Sequence, residues 1–247
     1  MELSPSLVAT MLAAIVGGFI RGFAGFGGAL IFTPVASAAF GPQFAVPIFL
    51  VMDYMLTVPI VIRSIRICAW QTVFPAAIAG LITAPIGAWL LANGDPIILR
   101  WVICVLVILL LALIVSGWRY QGEPKPIASA GVGGVAGLFG GIGQVSGPAV
   151  IAFWMSGPQP VAVIRANMFC FFAIIGVSSF VAYFLNGLFT FDGLKLIVVM
   201  APLYAVSLIV GGWLFARTHG ANFRPLAYAL VAFAALSSMP AFDSILR

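Results

Sequence analysis

The sequence predicts an all-α integral membrane protein of about ten helical segments, arranged as two inverted-topology repeats that each start with a glycine-broken helix pair. Three observations support this. Of the 247 residues, 63% are hydrophobic and only 7% are charged, whereas soluble domains carry roughly a quarter charged residues. Several charge-free stretches reach the roughly 17–25 residues that cross a bilayer as a helix. Glycine-rich clusters interrupt the apolar sequence at comparable places in the two halves.

Each half of the chain is predicted to contribute five segments to a single membrane domain, the first repeat spanning 1–120 and the second 121–247. The boundaries follow the charge-free runs and the polar or Gly/Pro-rich connections between them. The N-terminal segment has no basic region or cleavage-like site, so it is interpreted as a retained helix rather than a signal peptide. In chain order the predicted segments are 3–21, 29–40, 44–62, 69–92, 97–118, 126–139, 144–156, 161–185, 193–216 and 224–242.

An internal duplication accounts for this order. Gly41-Pro42-Gln43 recurs as Gly157-Pro158-Gln159, 116 positions later, and each follows a glycine cluster and a short segment. The clusters themselves align near an offset of 119, which pairs Gly27-Gly28 with Ser146-Gly147. With five segments in each half, the second half starts on the opposite side of the membrane, so the two halves are predicted to be inverted copies.

Basic residues test this topology independently. The positive-inside rule places the face with more Lys and Arg in the cytoplasm, which leaves both termini outside. The protein is therefore predicted to be a multi-pass protein of a bacterial-type inner (cytoplasmic) membrane, and the net charge of +5 is attributed to orientation, not to nucleic-acid binding. The cytoplasmic face is predicted to hold Arg63, Arg66, Arg119, Lys125, Arg165, Arg217 and Arg224, and the other face Arg100, Lys195 and Arg247.

The glycine clusters are the first candidate for function. Four glycines within residues 22–28 make a poor continuous helix, at roughly 1 kcal/mol each relative to alanine. A turn there would leave backbone N–H groups free at the start of the next helix, where the positive end of the helix dipole attracts anions. The alternative is close helix packing, because Gly18 and Gly22, like Gly137 and Gly141, have small-xxx-small spacing.

Two charges lie within apolar sequence. Arg21, at the first cluster, has two interpretations: the side chain extends to the cytoplasmic interface, or its guanidinium donates to the oxygens of an anion. Asp53 lies near the middle of segment 44–62, where a charge is costly and usually functional. It is a candidate for proton coupling, and the alternative is a structural pair with Arg21.

Polar residues of the second half complete the predicted site. Gln144 and Ser146 lie in the second cluster as ligand donors or as polar contacts between helices. At the start of segment 161–185, Arg165 is open to the same two interpretations as Arg21, of which a loop-anchoring role is favoured. Asn167 is interpreted as a residue that reaches the ligand. The predicted substrate-binding residues are Arg21, Gly25, Gly27, Gly28, Gln144, Ser146, Gly147 and Asn167, with Asp53 as the coupling candidate.

No pattern typical of an enzyme, metal site or cofactor site is present. Cys68, Cys104 and Cys170 lie far apart in the sequence, which indicates neither a disulfide framework nor a metal site. His219, the one histidine, lies in a basic loop without a catalytic partner. An intramembrane enzyme would need a nucleophile with a base, or a metal constellation. The protein is therefore predicted not to be an enzyme and to need no cofactor or metal.

At the two glycine clusters the sequence resembles the TauE/SafE sulfite exporter family. The first repeat of that family typically reads Gly-x-x-Gly-x-Gly-Gly before an apolar run to a proline, as Gly22 to Gly28 and Pro34 do here. The second typically has a glycine cluster ending in Gly-Pro, matched by Gly147-Pro148, although Gln144-Val145-Ser146 departs from the pattern. The resemblance covers essentially the whole chain and implies transport of sulfite, sulfoacetate, other organosulfonates or sulfur-containing anions.

The leading hypothesis is a secondary transporter that moves such a small anion across the cytoplasmic membrane. The two repeats would rock around a site near the bilayer midplane to give alternating access. The chain has no Walker-type phosphate-binding motif, so an ion gradient, of protons or sodium, is the expected energy source. An anion channel is the alternative. The partners expected are the anion, the bilayer and the coupling ion, and the oligomeric state is left open.

Overall fold

The computed structural model describes residues 4–117, 120, 125–155, 159–218 and 224–242. Arg119, Gly157, Pro158, His219 and Arg247 lie outside these ranges. Within them the chain forms ten α-helices and one short 3₁₀-helix, and no strand. The helices are α1 Pro5–Ala24, α2 Gly28–Phe40, α3 Pro42–Ser64, α4 Trp70–Asn93, α5 Pro96–Val115, α6 Pro126–Gly143, α7 Gly147–Trp154, α8 Val161–Leu185, α9 Phe191–Thr218 and α10 Arg224–Ser237, and the 3₁₀-helix is Pro240–Phe242.

Seven helices in the described ranges are long and apolar enough to cross a bilayer: α1, α3, α4, α5, α6, α8 and α9. Large apolar side chains cover the outside of the bundle, and each of Leu12, Phe74, Ile82, Leu109, Val198 and Ile209 is more than half exposed. Soluble monomers rarely expose so much contiguous apolar surface. The predicted all-α, multi-pass membrane protein with ten helical segments is therefore confirmed.

Local sequence fixes several helix starts. The Ser4 Oγ accepts a hydrogen bond from the Leu7 backbone N at 3.2 Å, and Pro5 follows as the first helical residue of α1. Asp95 does the same for α5, accepting from the backbone N of Ile97 and Ile98 at 2.9 and 3.0 Å. These side chains satisfy N–H groups that have no partner within the helix.

Two long helix pairs pack through glycine. A Cβ at Gly22 of α1 would collide with the Leu208 carbonyl oxygen of α9, and a Cβ at Gly137 of α6 would collide with the Gly80 backbone of α4. Only glycine allows these backbones to approach so closely. For Gly22 and Gly137, the packing interpretation is therefore what the structure shows.

The helices pack crosswise between the two halves. α1 packs mainly on α9, and α6 mainly on α4; α2 contacts α10, and α5 contacts α7. If α1 corresponds to α6 and α4 to α9, each contact has its counterpart in the other half. The halves 1–120 and 121–247 interlock, which supports our proposal that they are repeats within one membrane domain.

The second helix break lies later than the sequence predicts. The expected segments end at residue 139 and restart at 144, whereas α6 continues to Gly143 and α7 begins at Gly147. Gly141 stays helical because it packs against α4, where its Cβ would collide with the Ala84 carbonyl oxygen. Similarly, α1 continues past residue 21 to Ala24, so Gly22 lies inside a helix. Each break is therefore only three residues long.

Candidate functional site

The two breaks, Gly25-Phe26-Gly27 and Gln144-Val145-Ser146, begin with the same backbone turn. Gly25 (φ 82°) and Gln144 (φ 61°) both adopt the left-handed conformation and end α1 and α6. Each donates its backbone N–H to the carbonyl four residues earlier, at 2.9 Å. Glycine takes this conformation without strain, whereas a residue with a side chain rarely adopts it. Gln144 is the only described non-glycine residue with positive φ.

The breaks contact each other. A Cβ at Gly147, the first residue of α7, would lie 2.9 Å from the Phe26 Cβ. Beside this contact is a cavity of about 30 Å³ whose wall includes residues of both breaks and aromatic side chains of α3 and α8, such as Phe49 and Phe172. Of the nine predicted site residues, six line this cavity: Arg21, Gly27, Gly28, Asp53, Gln144 and Gly147.

Arg21 is paired with Asp53 in the cavity wall. Its Nε donates to Asp53 Oδ1 at 3.0 Å and its Nη2 to Oδ2 at 2.8 Å, while Nη1 donates to the Gly25 carbonyl at 2.6 Å. Arg21 and Asp53 are each only 5% exposed, so the interpretation in which Arg21 extends to the membrane interface is wrong. The arginine fork matches both carboxylate oxygens, which is the strongest geometry for such a pair.

Tyr204 of α9 completes the polar cluster. Its Oη donates to Asp53 Oδ1 at 2.6 Å. Gly28 provides the space for this contact, because a Cβ there would lie 2.7 Å from the Tyr204 Oη. Nothing in the sequence marks Tyr204 as a site residue, since α9 is apolar around it and only its partner distinguishes it from a core tyrosine.

Aromatic rings enclose the arginine. The Arg21 Cζ lies 4.7 Å from the ring centroid of Phe169 and 4.9 Å from that of Phe172, both on α8. Cation–π contacts of this kind gain strength where water is excluded. The buried cluster thus joins α1, α3, α8 and α9, and its one positive and one negative charge cancel.

The side chain of Gln144 is hydrogen-bonded to residues of its own half of the chain. Its Nε2 donates to the Gly140 carbonyl at 2.8 Å and to Tyr183 Oη at 3.2 Å, and Tyr183 donates to the Gly141 carbonyl at 2.7 Å. These bonds stabilise the left-handed turn at the end of α6. Gln144 still lines the cavity, whereas Ser146 is 2% exposed and does not.

Two predicted residues of α8 lie away from the cavity. Asn167 is fully buried, and its Oδ1 accepts from the Ala69 backbone N at 2.8 Å. Arg165 lies within α8, as predicted, but its side chain holds α1 rather than a loop: its Nη2 donates to the Gly22 carbonyl at 2.5 Å. Its alkyl chain lies against the backbone of the first break, since a Cβ at Gly25 would lie 2.8 Å from the Arg165 Cγ. Arg165 therefore supports the break from outside.

No group of three His, Cys, Asp or Glu side chains close enough to hold a metal ion occurs in the described part of the chain. The chemistry of the cavity is instead that of one buried ion pair, a tyrosine hydroxyl, an amide and the backbone at two helix starts. Groups of this kind have the chemistry to bind and orient a small charged solute.

Comparisons with known proteins identify the chain at the level of its family. Neither the comparison with curated proteins nor that with solved structures gave a match. The model of the family described as Sulfite exporter TauE/SafE matches residues 10–238, nearly the whole chain. Together with its membrane-spanning helices, this match shows that the chain belongs to the TauE/SafE sulfite exporter family.

Proposed function

We propose that this protein is a secondary transporter that carries sulfite, sulfoacetate or another organosulfonate across the cytoplasmic membrane of a bacterial-type cell. The observation that carries the proposal is the convergence of both helix breaks, one from each half, on one cavity that also contains Arg21. Broken helices of two repeats form the substrate sites of many secondary transporters.

The starts of α2 and α7 favour an anion. Neither helix has a side chain that caps its first N–H groups. Gly28, Ala29 and Leu30 of α2 and Gly147 of α7 line the cavity. The positive dipole end of each helix attracts negative oxygens, and so do those N–H groups of the first turn that have no acceptor in the protein. Arg21, Gly27, Gly28, Gln144 and Gly147 are the proposed binding residues.

Asp53 is the proposed coupling group. In the described conformation all three guanidinium nitrogens of Arg21 have protein acceptors. Protonation of Asp53 would remove its negative charge and leave the Arg21 charge for the substrate. A proton and an anion would then occupy the site together, and the cluster would remain neutral. A proton gradient would then drive transport through the protonation of Asp53.

Transport would require the cavity to open to each side of the membrane in turn. Both helix breaks contribute to the cavity wall, so movement of one break relative to the other would open it. We propose that the glycine-packed pairs α1–α9 and α4–α6 move as units against each other, so that the cavity opens to one side and then to the other.

Counterflow in proteoliposomes tests the proposal. Vesicles loaded with unlabelled sulfite should take up radiolabelled sulfite, and sulfoacetate or other sulfonates should compete while sulfate and small carboxylates compete less. Arg21→Lys should lose most of this exchange. Arg63→Ala is the matched control, because Arg63 is exposed at the end of α3 and lies outside the cavity wall. Conductance without counterflow would instead identify an anion channel.

A further inference from the structure

Arg165 of α8 carries a positive charge that no carboxylate balances in the described part of the chain. The ion pairs within the described ranges do not include it, and the nearby Asp53 is bound to Arg21. The hydrogen-bond acceptor of Arg165 is instead the Gly22 carbonyl, which is a neutral group. Because Arg21 and Asp53 cancel each other, Arg165 leaves one net positive charge beside them. A charge within a membrane-spanning helix is costly and usually functional.

The guanidinium of Arg165 also has donors that the protein does not use. Of its three nitrogens only Nη2 is hydrogen-bonded within the described residues, and Nε is a buried donor without a partner. In Arg21, by contrast, all three nitrogens donate to protein oxygens. The arginine fork presents paired donors that match the oxygens of a sulfonate, sulfite or similar oxyanion. In this conformation Arg165 is therefore the arginine with donors left for a ligand.

One aromatic ring lies against both arginines. The ring centroid of Phe169 is 5.6 Å from the Arg165 Cζ and 4.7 Å from the Arg21 Cζ. A second ring, that of Phe215 on α9, lies 4.5 Å from the Arg165 Cζ. Cation–π contacts act on the face of a guanidinium and leave its N–H groups, which lie at the edge, for other acceptors. The rings therefore orient Arg165 without using its donors, and they place it next to Arg21.

Arg165 lies nearer to one end of the bundle than the cavity does. Helix α9 contacts both places: Tyr204 donates to Asp53 in the cavity wall, and Phe215 contacts Arg165. Phe215 is about three turns farther along α9, close to the end of that helix at Thr218, and Arg165 itself lies in the second turn of α8. The charge distribution predicts that this end of the bundle is cytoplasmic. Arg165 therefore lies between that face and the cavity.

We propose that Arg165 forms a second binding site for the transported oxyanion, which a sulfonate or sulfite occupies on its way between the cytoplasmic face and Arg21. The anion neutralises Arg165 while Arg21 is still paired with Asp53. Once Asp53 is protonated, the anion passes Phe169 and binds to Arg21. This route rests on the proposed function, because it requires transport through the cavity. Binding of an oxyanion at Arg165 does not.

The binding test is equilibrium dialysis of the full-length protein against radiolabelled methanesulfonate at pH 8, in a maltoside detergent without phospholipid. The wild type should bind one anion per chain, and Arg165→Gln should bind none. Arg165→Lys keeps the charge but loses the fork, so it should bind about tenfold more weakly. Arg63→Gln is the matched control, because Arg63 is exposed at the end of α3, and it should bind as the wild type does.

Three results would overturn the proposal. The first is a wild type that binds no methanesulfonate, and the second is undiminished binding by Arg165→Gln. If Arg165→Gln does not fold, Arg165→Lys decides, since an affinity equal to that of the wild type would place the anion elsewhere. The third concerns lipid, whose phosphate group has the same chemistry. Dialysis is repeated in phosphatidylglycerol nanodiscs, where loss of binding would show that a lipid phosphate occupies Arg165.

Sulfite counterflow tests the route. Arg165→Gln should raise the sulfite concentration for half-maximal exchange by about tenfold, the equivalent of one charge-assisted hydrogen bond, and retain the maximal rate. A purely structural role through the Gly22 carbonyl would lower the maximal rate instead. An unchanged half-maximal concentration would overturn the route. Absence of exchange by the wild type would contradict the proposed function alone, because the dialysis measurement does not depend on transport.

Discussion

Arg21 on α1 and Asp53 on α3 form a two-point ion pair, with N–O distances of 3.0 and 2.8 Å, in the wall of the cavity between the two helix breaks. The pair is both the most buried charge contact described and a part of the proposed substrate site. Its contribution to stability and its proposed part in substrate binding can be separated experimentally.

Removal of either partner alone should strongly destabilise the protein. Arg21→Ala leaves a buried carboxylate, and Asp53→Ala leaves a buried guanidinium, at a cost of about 3–5 kcal/mol each. The double variant should lose less than the sum, because no unpaired charge remains. Unfolding in detergent or bicelles measures these differences. The exposed pair Lys195–Asp192, also at 2.8 Å, is the matched control, and its disruption should change stability by about 1 kcal/mol or less.

Asp53→Asn should uncouple anion binding from pH. The asparagine imitates a protonated aspartate, so Arg21 stays available to an anion at every pH. Methanesulfonate is a suitable probe because its charge does not change near neutral pH. In the wild type its stabilising effect should increase as pH falls, and in Asp53→Asn it should be constant. An equal pH dependence in both proteins would exclude Asp53 as the coupling group.

Tyr204→Phe should weaken the cluster without disturbing its packing. The ring contact with Phe49, at 5.9 Å between centroids, is retained, and only the hydroxyl that donates to Asp53 is lost. Hydrogen bonds to charged groups contribute about 1.5–3 kcal/mol. We expect a stability loss of that order together with a changed pH dependence of anion binding. Tyr183→Phe, outside the ion pair, should lower stability and leave the pH dependence as it is.

Gly22→Ala should separate α1 from α9. The added methyl group would overlap the Leu208 carbonyl oxygen, which belongs to the backbone and cannot move aside alone. Gly131→Ala in α6 is the control, since a Cβ there meets nothing within 4 Å. In that exposed position alanine should be neutral or stabilising by up to about 1 kcal/mol. Equal thermal stability of the two variants would contradict close packing at Gly22.

The left-handed backbone of Gln144 predicts an order among substitutions at this position. Gln144→Gly and Gln144→Ala both lose the side-chain bonds to Gly140 and Tyr183, but only glycine removes the steric cost of positive φ. Gln144→Gly should therefore be more stable than Gln144→Ala by about 1–2 kcal/mol. Thermal unfolding of the two variants measures the difference directly, and a more stable alanine variant would rule out a strained turn.

The sequence alone predicts the class of fold and several residues of the cavity wall. Apolar runs and turn residues predict the number of helices, and the glycine clusters indicate where they break. The second break lies later in the chain than predicted, because a glycine can serve either close helix packing or a turn. The sequence does not show which of the two a given glycine serves. Gly141 is helical because α4 lies against it, whereas Gly25 forms a turn, and this difference depends on the neighbouring helix.

Side-chain contacts between residues that are distant in the sequence could not be predicted. Asp53 was open to proton coupling or to a pair with Arg21, and only the approach of α1 and α3 shows that the pair is formed. Tyr204 had no local signal at all. Asn167 was expected at the ligand because it is polar within an apolar helix, but its amide oxygen instead binds the Ala69 backbone.

The crosswise packing of α1 on α9 also constrains how the protein is made. During synthesis α1 enters the membrane long before α9 leaves the ribosome, so its glycine surface has no native partner for most of translation. The first half therefore cannot reach its final packing alone, unlike domains that fold in turn from the N terminus. Chains truncated before α9 should be inserted but remain sensitive to membrane proteases, and assembly should be completed only when the last helices arrive.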